Sequence, residues 1–231
     1  MTRDPPRARS ARFDAAYFRR HYTDPRTRVT TPLEMRGRAA LILAAMRQAG
    51  LPVHSILDAG CGVGWLRAPF AELVPRASYT GLEYSEYLCR RYGWIQGSAV
   101  DYAPARRFDL VVCYDVLQYL EERAAARALA NLARLARYGL YLSALTLEDW
   151  RENCEQSLTD GEVHLRPAEW YRRRLARTCR HLGFGIWAPK SVRPILWELE
   201  RPANSTSGAR GPSRPAPDAR ARPRRSRPAG R

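Results

Sequence analysis

Apolar and polar positions along this chain fall into short buried runs separated by amphipathic stretches. Four apolar runs are typical of strands, at Ser55–Asp58, Tyr79–Glu83, Phe108–Tyr114 and Gly139–Leu145. Leucines spaced three apart along Glu121–Arg137 predict a helix with one apolar side. Strands that alternate with helices predict an α/β fold, in which a doubly wound, mostly parallel sheet carries helices on both faces.

Shorter segments complete this alternation. Gly64–Leu73 predicts a helix, Ser85 caps a second one that runs to about Tyr92, and Trp94–Gly97 predicts a short strand. Earlier in the chain, Thr31-Pro32-Leu33-Glu34 combines a threonine cap, a proline at the first helical position and a glutamate three residues after the cap. We expect that helix to reach Ala49.

The C-terminal half departs from the rhythm. An irregular stretch covers Thr146–Arg166, and Pro167 then opens a predicted helix that ends at Leu182. Two final strands, Phe184–Trp187 and Ile195–Glu200, predict an antiparallel hairpin at one end of the sheet, which makes seven strands in all.

We therefore divide the chain into three parts. Residues 1–50 form a predicted helical lid, with an aromatic-rich helix at Phe13–Tyr22, and residues 51–201 form the main domain. Residues 202–231 are rich in proline and arginine and contain no bulky apolar side chain, so this segment is predicted to be disordered.

Charge and cysteine content narrow the class of protein. The formal charge is +16, and residues 202–231 contribute +7 of it through eight arginines and one aspartate. Such a basic block can attach to nucleic acid, or it can be a solvated extension. Five single cysteines predict neither a disulfide framework nor a zinc site. No signal-peptide core is found, and the longest apolar run, Ala39–Met46, is too short to span a membrane, so we expect a cytoplasmic protein.

A glycine-rich turn follows the first strand. Asp58 ends the strand. Glycines follow at every second position, Gly60, Gly62 and Gly64, and Cys61 lies between the first two. Glycines there permit positive φ and a close approach of the backbone to a ligand. A dinucleotide fingerprint places its third glycine one residue later, and the carboxylate of Asp58 would repel a pyrophosphate. A cationic nucleoside without phosphates, such as S-adenosylmethionine (SAM), fits this turn better.

Polar residues at the ends of the next strands support a nucleoside site. The carboxyl ends of parallel strands meet at one edge of the sheet, where open α/β sheets bind ligands. Glu83 ends the second strand and can accept the ribose hydroxyls, and the small Ser98 and Ala99 after the third strand suit a flat adenine ring. The fourth strand ends at Tyr114-Asp115, which we expect to face the reactive part of the ligand.

At Leu51–Leu199 the chain resembles the class I SAM-dependent methyltransferases. LDAGCGVG matches the first motif of that family, YTGLEYS the second, and FDLVVCYDVLQYL the fourth. The resemblance implies a seven-stranded sheet with an antiparallel last strand. It also implies that Asp58, Gly60, Cys61, Gly62 and Gly64 hold the amino-acid part of SAM. Glu83 and Tyr84 would then contact the ribose, Ser98 and Ala99 the adenine, and Tyr114 the cofactor near its methyl group.

Two positions depart from the family pattern. Ser98 stands where relatives often carry aspartate, and Gln118 stands where many carry histidine. Because a sulfonium is already a strong methyl donor, alignment is the main task, and a general base helps only some acceptors. Our candidates for the acceptor side are His164, Tyr119 and Asp115. His21, in an aromatic cluster with Tyr17 and Tyr22, could belong to a lid.

Motifs that mark several acceptor classes are absent. After the fourth strand there is neither the Pro-Pro-aromatic motif of amino-methylating DNA enzymes nor the Pro-Cys pair of cytosine-C5 enzymes. A small organic acceptor is therefore the leading hypothesis. Two alternatives stay open, which are an RNA- or protein-directed methyltransferase that uses the basic surface and a non-catalytic SAM-binding module.

Overall fold

The structure, a computed structural model, describes residues 12–200 and builds them around one seven-stranded sheet. The strands in chain order are β1 (Ser55–Ala59), β2 (Ser78–Glu83), β3 (Ile95–Gln96), β4 (Phe108–Tyr114), β5 (Ala136–Ser143), β6 (Cys179–Gly183) and β7 (Ile186–Pro189). Their spatial order is β3-β2-β1-β4-β5-β7-β6, with β7 antiparallel to both of its neighbours and the other pairs parallel. The predicted α/β fold is confirmed.

Helices cover both faces of this sheet. The α-helices are α1 (Ala15–Phe18), α2 (Pro32–Gln48), α3 (Arg67–Leu73), α4 (Glu86–Tyr92), α5 (Glu122–Leu135), α6 (Leu147–Glu152) and α7 (Ala168–Leu175). A π-helical turn at Arg19–Thr23 continues α1, and 3-10 turns occupy Leu117–Tyr119 and Glu198–Glu200. Thr31 and Glu34 form the predicted capping box at the start of α2.

Alternate residues of the central strand supply two separate cores. On one face of the sheet, Val111 of β4 packs with Leu129 and Leu132 of α5. On the other face, Leu110 packs with Ile42 and further apolar residues of α2 and α3. Because strand side chains alternate between faces, β4 is buried throughout, as an apolar strand between two helical layers must be.

The last helix and the position of the hairpin differ from the sequence-based expectation. Helix α7 ends at Leu175 instead of Leu182, and Cys179–Gly183 forms β6. The hairpin turn lies at Phe184 and Gly185, which both have positive φ (47° and 76°), the backbone that tight hairpin turns require. Ile195–Glu200 is not a strand. His181 accordingly lies on β6 with its ring 4.5 Å from that of Trp187, and not at the end of a helix.

The two parts of the predicted N-terminal lid pack differently. Helix α2 contributes Met35, Ala39, Ile42, Leu43 and Met46 to the core below the sheet. Residues 12–30, which we name the lid segment, instead lie over the carboxyl ends of the strands. The Arg- and Pro-rich stretch at 202–231 lies outside the described residues. Across residues 12–200, no helix has the length and apolar character needed to cross a membrane.

Candidate active site

The glycine turn closes the carboxyl end of β1. Gly60 has φ of 82°, and a Cβ there would lie 2.2 Å from Cγ2 of Val116, so only glycine permits this contact. Gly62 differs, because its Cβ (φ 55°) would meet no atom within 4 Å. Its N–H donates to Oε2 of Glu83 at 2.8 Å, and its carbonyl accepts from Nε1 of Trp94 at 3.0 Å. The turn is therefore held from both sides while the face of Gly62 is open to a ligand.

Asp58 carries a buried carboxylate beside this turn. Its side chain is 2% exposed and accepts a 2.6 Å hydrogen bond from the hydroxyl of Tyr79. Burial raises the pKa of Asp58 to about 7, and the charge of Glu83 adds to the rise while the Tyr79 hydrogen bond opposes it. Among the ion pairs of residues 12–200, none includes Asp58. An ammonium group is the partner that such a carboxylate lacks.

Glu83 organises the turn and keeps some acceptor capacity. Oε1 accepts from the backbone N–H groups of Tyr84 and Ser85 at 2.8 and 2.9 Å, and within residues 12–200 Oε2 accepts the bond from Gly62 and no other. Desolvation raises the pKa of Glu83, and these three bonds oppose the rise. Since each carboxylate oxygen has two lone pairs, one position on Oε2 stays open to a hydroxyl donor.

The residues predicted for the adenine lie one strand further out. The Gly97 N–H donates to the carbonyl of Glu83 at 2.9 Å, which places Ser98 and Ala99 just beyond the end of β3. The Ser98 hydroxyl accepts from the N–H of Val100 at 3.2 Å, and Ala99 is buried. The topology therefore brings Asp58, Glu83 and the Ser98–Ala99 pair to one edge of the sheet, in that order.

Two cavities meet above this edge. The smaller one, of about 40 Å³, is the turn cavity; its lining includes Asp58, Gly60, Cys61, Gly62, Trp65, Tyr22 and Tyr114. The larger one, of about 260 Å³, is the lid cavity; its lining includes Tyr17, His21, Tyr22, Arg28, Asp115, Gln118, Tyr119, Glu155 and Asp160. Tyr22 lines both, so the glycine turn and the lid cavity are neighbours across one tyrosine ring.

The lid segment is held over the larger cavity by specific contacts. Arg12 reaches both carboxylate oxygens of Asp160 at 2.8 and 2.7 Å. The hydroxyls of Tyr17 and Tyr119 are hydrogen-bonded at 2.9 Å, and the Ser85 hydroxyl donates to the carbonyl of Phe13 at 2.5 Å. These contacts join the segment to three different parts of the sheet edge.

A buried arginine positions the loop that follows β4. Nη1 of Arg166 donates to the carbonyls of Leu117 and His164 at 3.1 and 3.0 Å, and Nη2 donates to that of Leu120. The side chain is only 6% exposed. Sequence reasoning missed this residue, as it missed Tyr79 and Trp94, because each acts through a contact with a distant part of the chain and has no local motif.

The three acceptor-side candidates have different surroundings. Asp115 and Tyr119 line the lid cavity, and Asp115 has a positive φ of 54°. His164 is bound through its backbone, whose N–H donates to the carbonyl of Gln118 at 2.7 Å, while its side chain is exposed and lies outside the lining of both cavities. The structure thus brings two of the three predicted residues together. His54 lies beyond the opposite end of β1, as expected.

A family of known proteins matches the part of the chain that builds this site. The model of a methyltransferase domain family matches residues 57–139, a range that contains the glycine turn, Glu83, β4 and the loop after it. No significant match was found among curated proteins.

Solved structures share the fold at low identity. Magnesium protoporphyrin IX methyltransferase (ChlM) from Synechocystis PCC 6803, with bound SAM, is 20% identical with a TM-score of 0.55; the match covers 81% of this chain and 97% of that one. The N-methyltransferase NodS from Bradyrhizobium japonicum WM9, in complex with S-adenosyl-L-homocysteine (SAH), is 18% identical with a TM-score of 0.52 and coverages of 81% and 100%. DesVI from Streptomyces venezuelae is 15% identical with a TM-score of 0.51, and the match covers 68% of this chain and 91% of that one.

These likenesses establish a shared fold. The match to a methyltransferase domain comes from the family model. The matched domain holds the strand, turn and acidic residue that the sequence motifs indicated, and the strand order around it is the one expected of the family. Residues 57–139, which carry the glycine turn and Glu83, thus match a methyltransferase domain family, and the fold around them is shared with solved methyltransferase structures.

Proposed function

We propose that this protein transfers the methyl group of SAM to a small organic acceptor bound in the lid cavity. The observation that carries this proposal is the enclosure of the acceptor side. The lid segment covers a cavity of about 260 Å³ that adjoins the glycine turn, and an RNA strand or a folded protein could not enter a space of that size with the segment in place.

The glycine turn, Asp58 and Glu83 fit SAM by their chemistry. The carboxylate of Asp58, which forms no ion pair within residues 12–200, suits the ammonium of its amino-acid part, and the open face of Gly62 suits close contact with a ligand. The remaining acceptor position of Glu83 suits a ribose hydroxyl. When bound, SAM supplies an electrophilic methyl group on a sulfonium.

The chain's own part in the reaction is alignment and exclusion of water. Tyr22 and Tyr114 lie beside the turn, while Tyr17 and Tyr119 close the lid cavity through their hydroxyls. Holding donor and acceptor in line inside a closed site can account for several kcal/mol of barrier lowering. Asp115 and Tyr119 are the polar groups we propose at the acceptor.

Calorimetric titration tests the cofactor assignment. We expect micromolar binding of SAM and SAH, no binding of NADH, and loss of at least tenfold in SAM affinity in Glu83→Ala. Glu72→Gln, which alters an exposed ion pair with Arg36, is the control and should bind SAM like the wild type. Binding of NADH, or equal SAM affinity in Glu83→Ala, would contradict the assignment.

A further inference from the structure

The wall of the lid cavity formed by the loop after β4 has one buried hydrogen-bond acceptor that lacks a donor among the described residues. Gln118 is 3% exposed, lines the cavity, and its Oε1 has no hydrogen-bond partner within the described residues. Leaving a buried polar atom without a partner is unfavourable, so such an atom in a ligand cavity points to a missing donor.

A carboxylate lies beside that atom. Asp115 precedes Gln118 by three residues across the 3-10 turn, lines the same cavity and accepts hydrogen bonds from the side chains of Tyr114 and Gln118. It takes part in none of the ion pairs of residues 12–200. Arg38, the cation whose charge acts on it, is engaged elsewhere, because it stacks over the Tyr114 ring at 4.2 Å and donates to the Tyr141 hydroxyl at 2.5 Å.

The rest of the lining favours a cation over an anion. Besides Asp115, the lining of the lid cavity includes Glu155, Asp160, which is paired with Arg12, and one arginine, Arg28. Burial lowers the pKa of His21, which keeps its ring neutral near pH 7. The electron-rich faces of the lining tyrosines, Tyr17, Tyr22 and Tyr119, add a surface that attracts cations.

We infer that the acceptor of this methyltransferase is an amine, held as an ammonium by Asp115 and Gln118 with an apolar body against the tyrosines. This inference rests on the proposed function. An ammonium offers two or three N–H donors, enough for both Asp115 and Oε1 of Gln118, whereas a hydroxyl offers one and a carboxylate none. Carboxylate acceptors are disfavoured further by the carboxylates of Asp115 and Glu155.

The chemistry balances with the groups present. The bound ammonium gives one proton to the Asp115 carboxylate, which frees the lone pair on nitrogen. That lone pair forms the N–CH₃ bond while the C–S bond breaks, and the electron pair of the C–S bond stays on sulfur. The products are a methylammonium ion and neutral SAH, and the proton on Asp115 passes to water when the site opens.

The test compares three probes of similar shape on the full chain saturated with SAH. We expect 2-phenylethylamine to bind at least tenfold more tightly than 2-phenylethanol, and phenylacetate to bind more weakly still. Asp115→Asn should weaken the amine at least tenfold while leaving SAH affinity within twofold. The backbone suits this change, since asparagine tolerates the positive φ at this position. Gln118→Met, which removes the second acceptor and also the amide that donates to Asp115, should weaken the amine about fivefold.

Controls separate this inference from the proposed function. Glu72→Gln should leave both affinities unchanged. If SAH binds normally but the amine does not bind, or binds no better than the alcohol or the acid, or is unaffected by Asp115→Asn, the inference is overturned and the methyltransferase assignment stands. If SAH itself does not bind, both fail.

Discussion

At the scale of single residues, the site concentrates charge where water is excluded. Asp58 and Glu83 are both buried, 2% and 7% exposed, and desolvation raises the pKa of each. Neither is needed to hold the sheet together, because both stand at strand ends. Their burial is a cost to the ligand-free fold that a bound cation or hydroxyl can relieve.

Asp58→Asn tests this cost. A carboxyl group whose pKa is higher in the folded than in the unfolded protein lowers the free energy of unfolding when it ionises. The wild type should therefore lose stability as the pH rises from about 4 to about 7. The amide cannot ionise and still accepts from Tyr79. We expect Asp58→Asn to be more stable than the wild type at pH 8, by up to about 4 kcal/mol at 1.36 kcal/mol per pKa unit, with no advantage below pH 4.

Urea denaturation of the ligand-free protein across this pH range measures the difference. The same variant should bind SAM at least tenfold more weakly by calorimetry. Glu72→Gln serves as the exposed acid-to-amide control and should change neither quantity. A variant that is no more stable than the wild type at pH 8 would show that Asp58 is not strained by burial.

At the scale of elements, the loop after β4 depends on a residue from a distant segment. Arg166 lies between α6 and α7. Its guanidinium donates hydrogen bonds to the carbonyls of Leu117, Leu120 and His164. The Cζ atom of Arg166 also lies 5.1 Å from the centroid of the Trp170 ring. The loop that carries Asp115 and Gln118 is therefore placed by tertiary contacts more than by its own short 3-10 turn.

Arg166→Met should uncouple the two cavities. Three carbonyls, one of them in a fully buried bond, each lose a charged donor, so we expect the free energy of unfolding to fall by about 3 kcal/mol. Binding in the lid cavity should weaken, while SAM affinity, set at the glycine turn, should change less than twofold. Urea denaturation and calorimetry give both values. The matched control is Arg173→Met on α7, whose exposed pair with Glu169 should contribute less than about 1 kcal/mol.

The contact between Arg12 and Asp160 is expected to hold the lid segment in place. Arg12→Gln removes the two contacts to Asp160, in a pair whose acid is 11% exposed. We expect faster amide hydrogen exchange across residues 13–22, with exchange in Pro32–Gln48 unchanged because α2 packs in the core. Arg36→Gln, which breaks an exposed pair on α2, should leave the exchange of residues 13–22 as it was. Equal protection in Arg12→Gln and wild type would contradict a lid held by Arg12.

At the scale of the whole molecule, charge and fold are distributed unevenly. Residues 202–231 contribute +7 of the formal +16, and their composition cannot bury an apolar core. Deletion of residues 202–231 should therefore leave the melting temperature within about 1 °C of the full chain. Scanning calorimetry of both chains measures this, and a drop of several degrees would show that the segment packs on the domain.

The sequence by itself determined the sheet, the glycine turn and the acidic strand ends. These follow from local causes, which are apolar runs of strand length, positive-φ glycines and capping residues, as in the capping box at Thr31 and the strand Phe108–Tyr114. Its motifs also indicated the methyltransferase domain that the family model matches at residues 57–139. The assignment of individual site residues to parts of SAM stays a prediction.

Only the tertiary structure decided where the final hairpin lies and how the acceptor side is built. Cys179–Leu182 has a pattern that suits a helix end or an edge strand, and pairing with β7 selects the strand. The partners of Asp58, the clamp on Asp160 and the donors from Arg166 are separated from their targets by 21, 148 and up to 49 residues. Contacts over such distances depend on how the layers pack, and no local pattern encodes them.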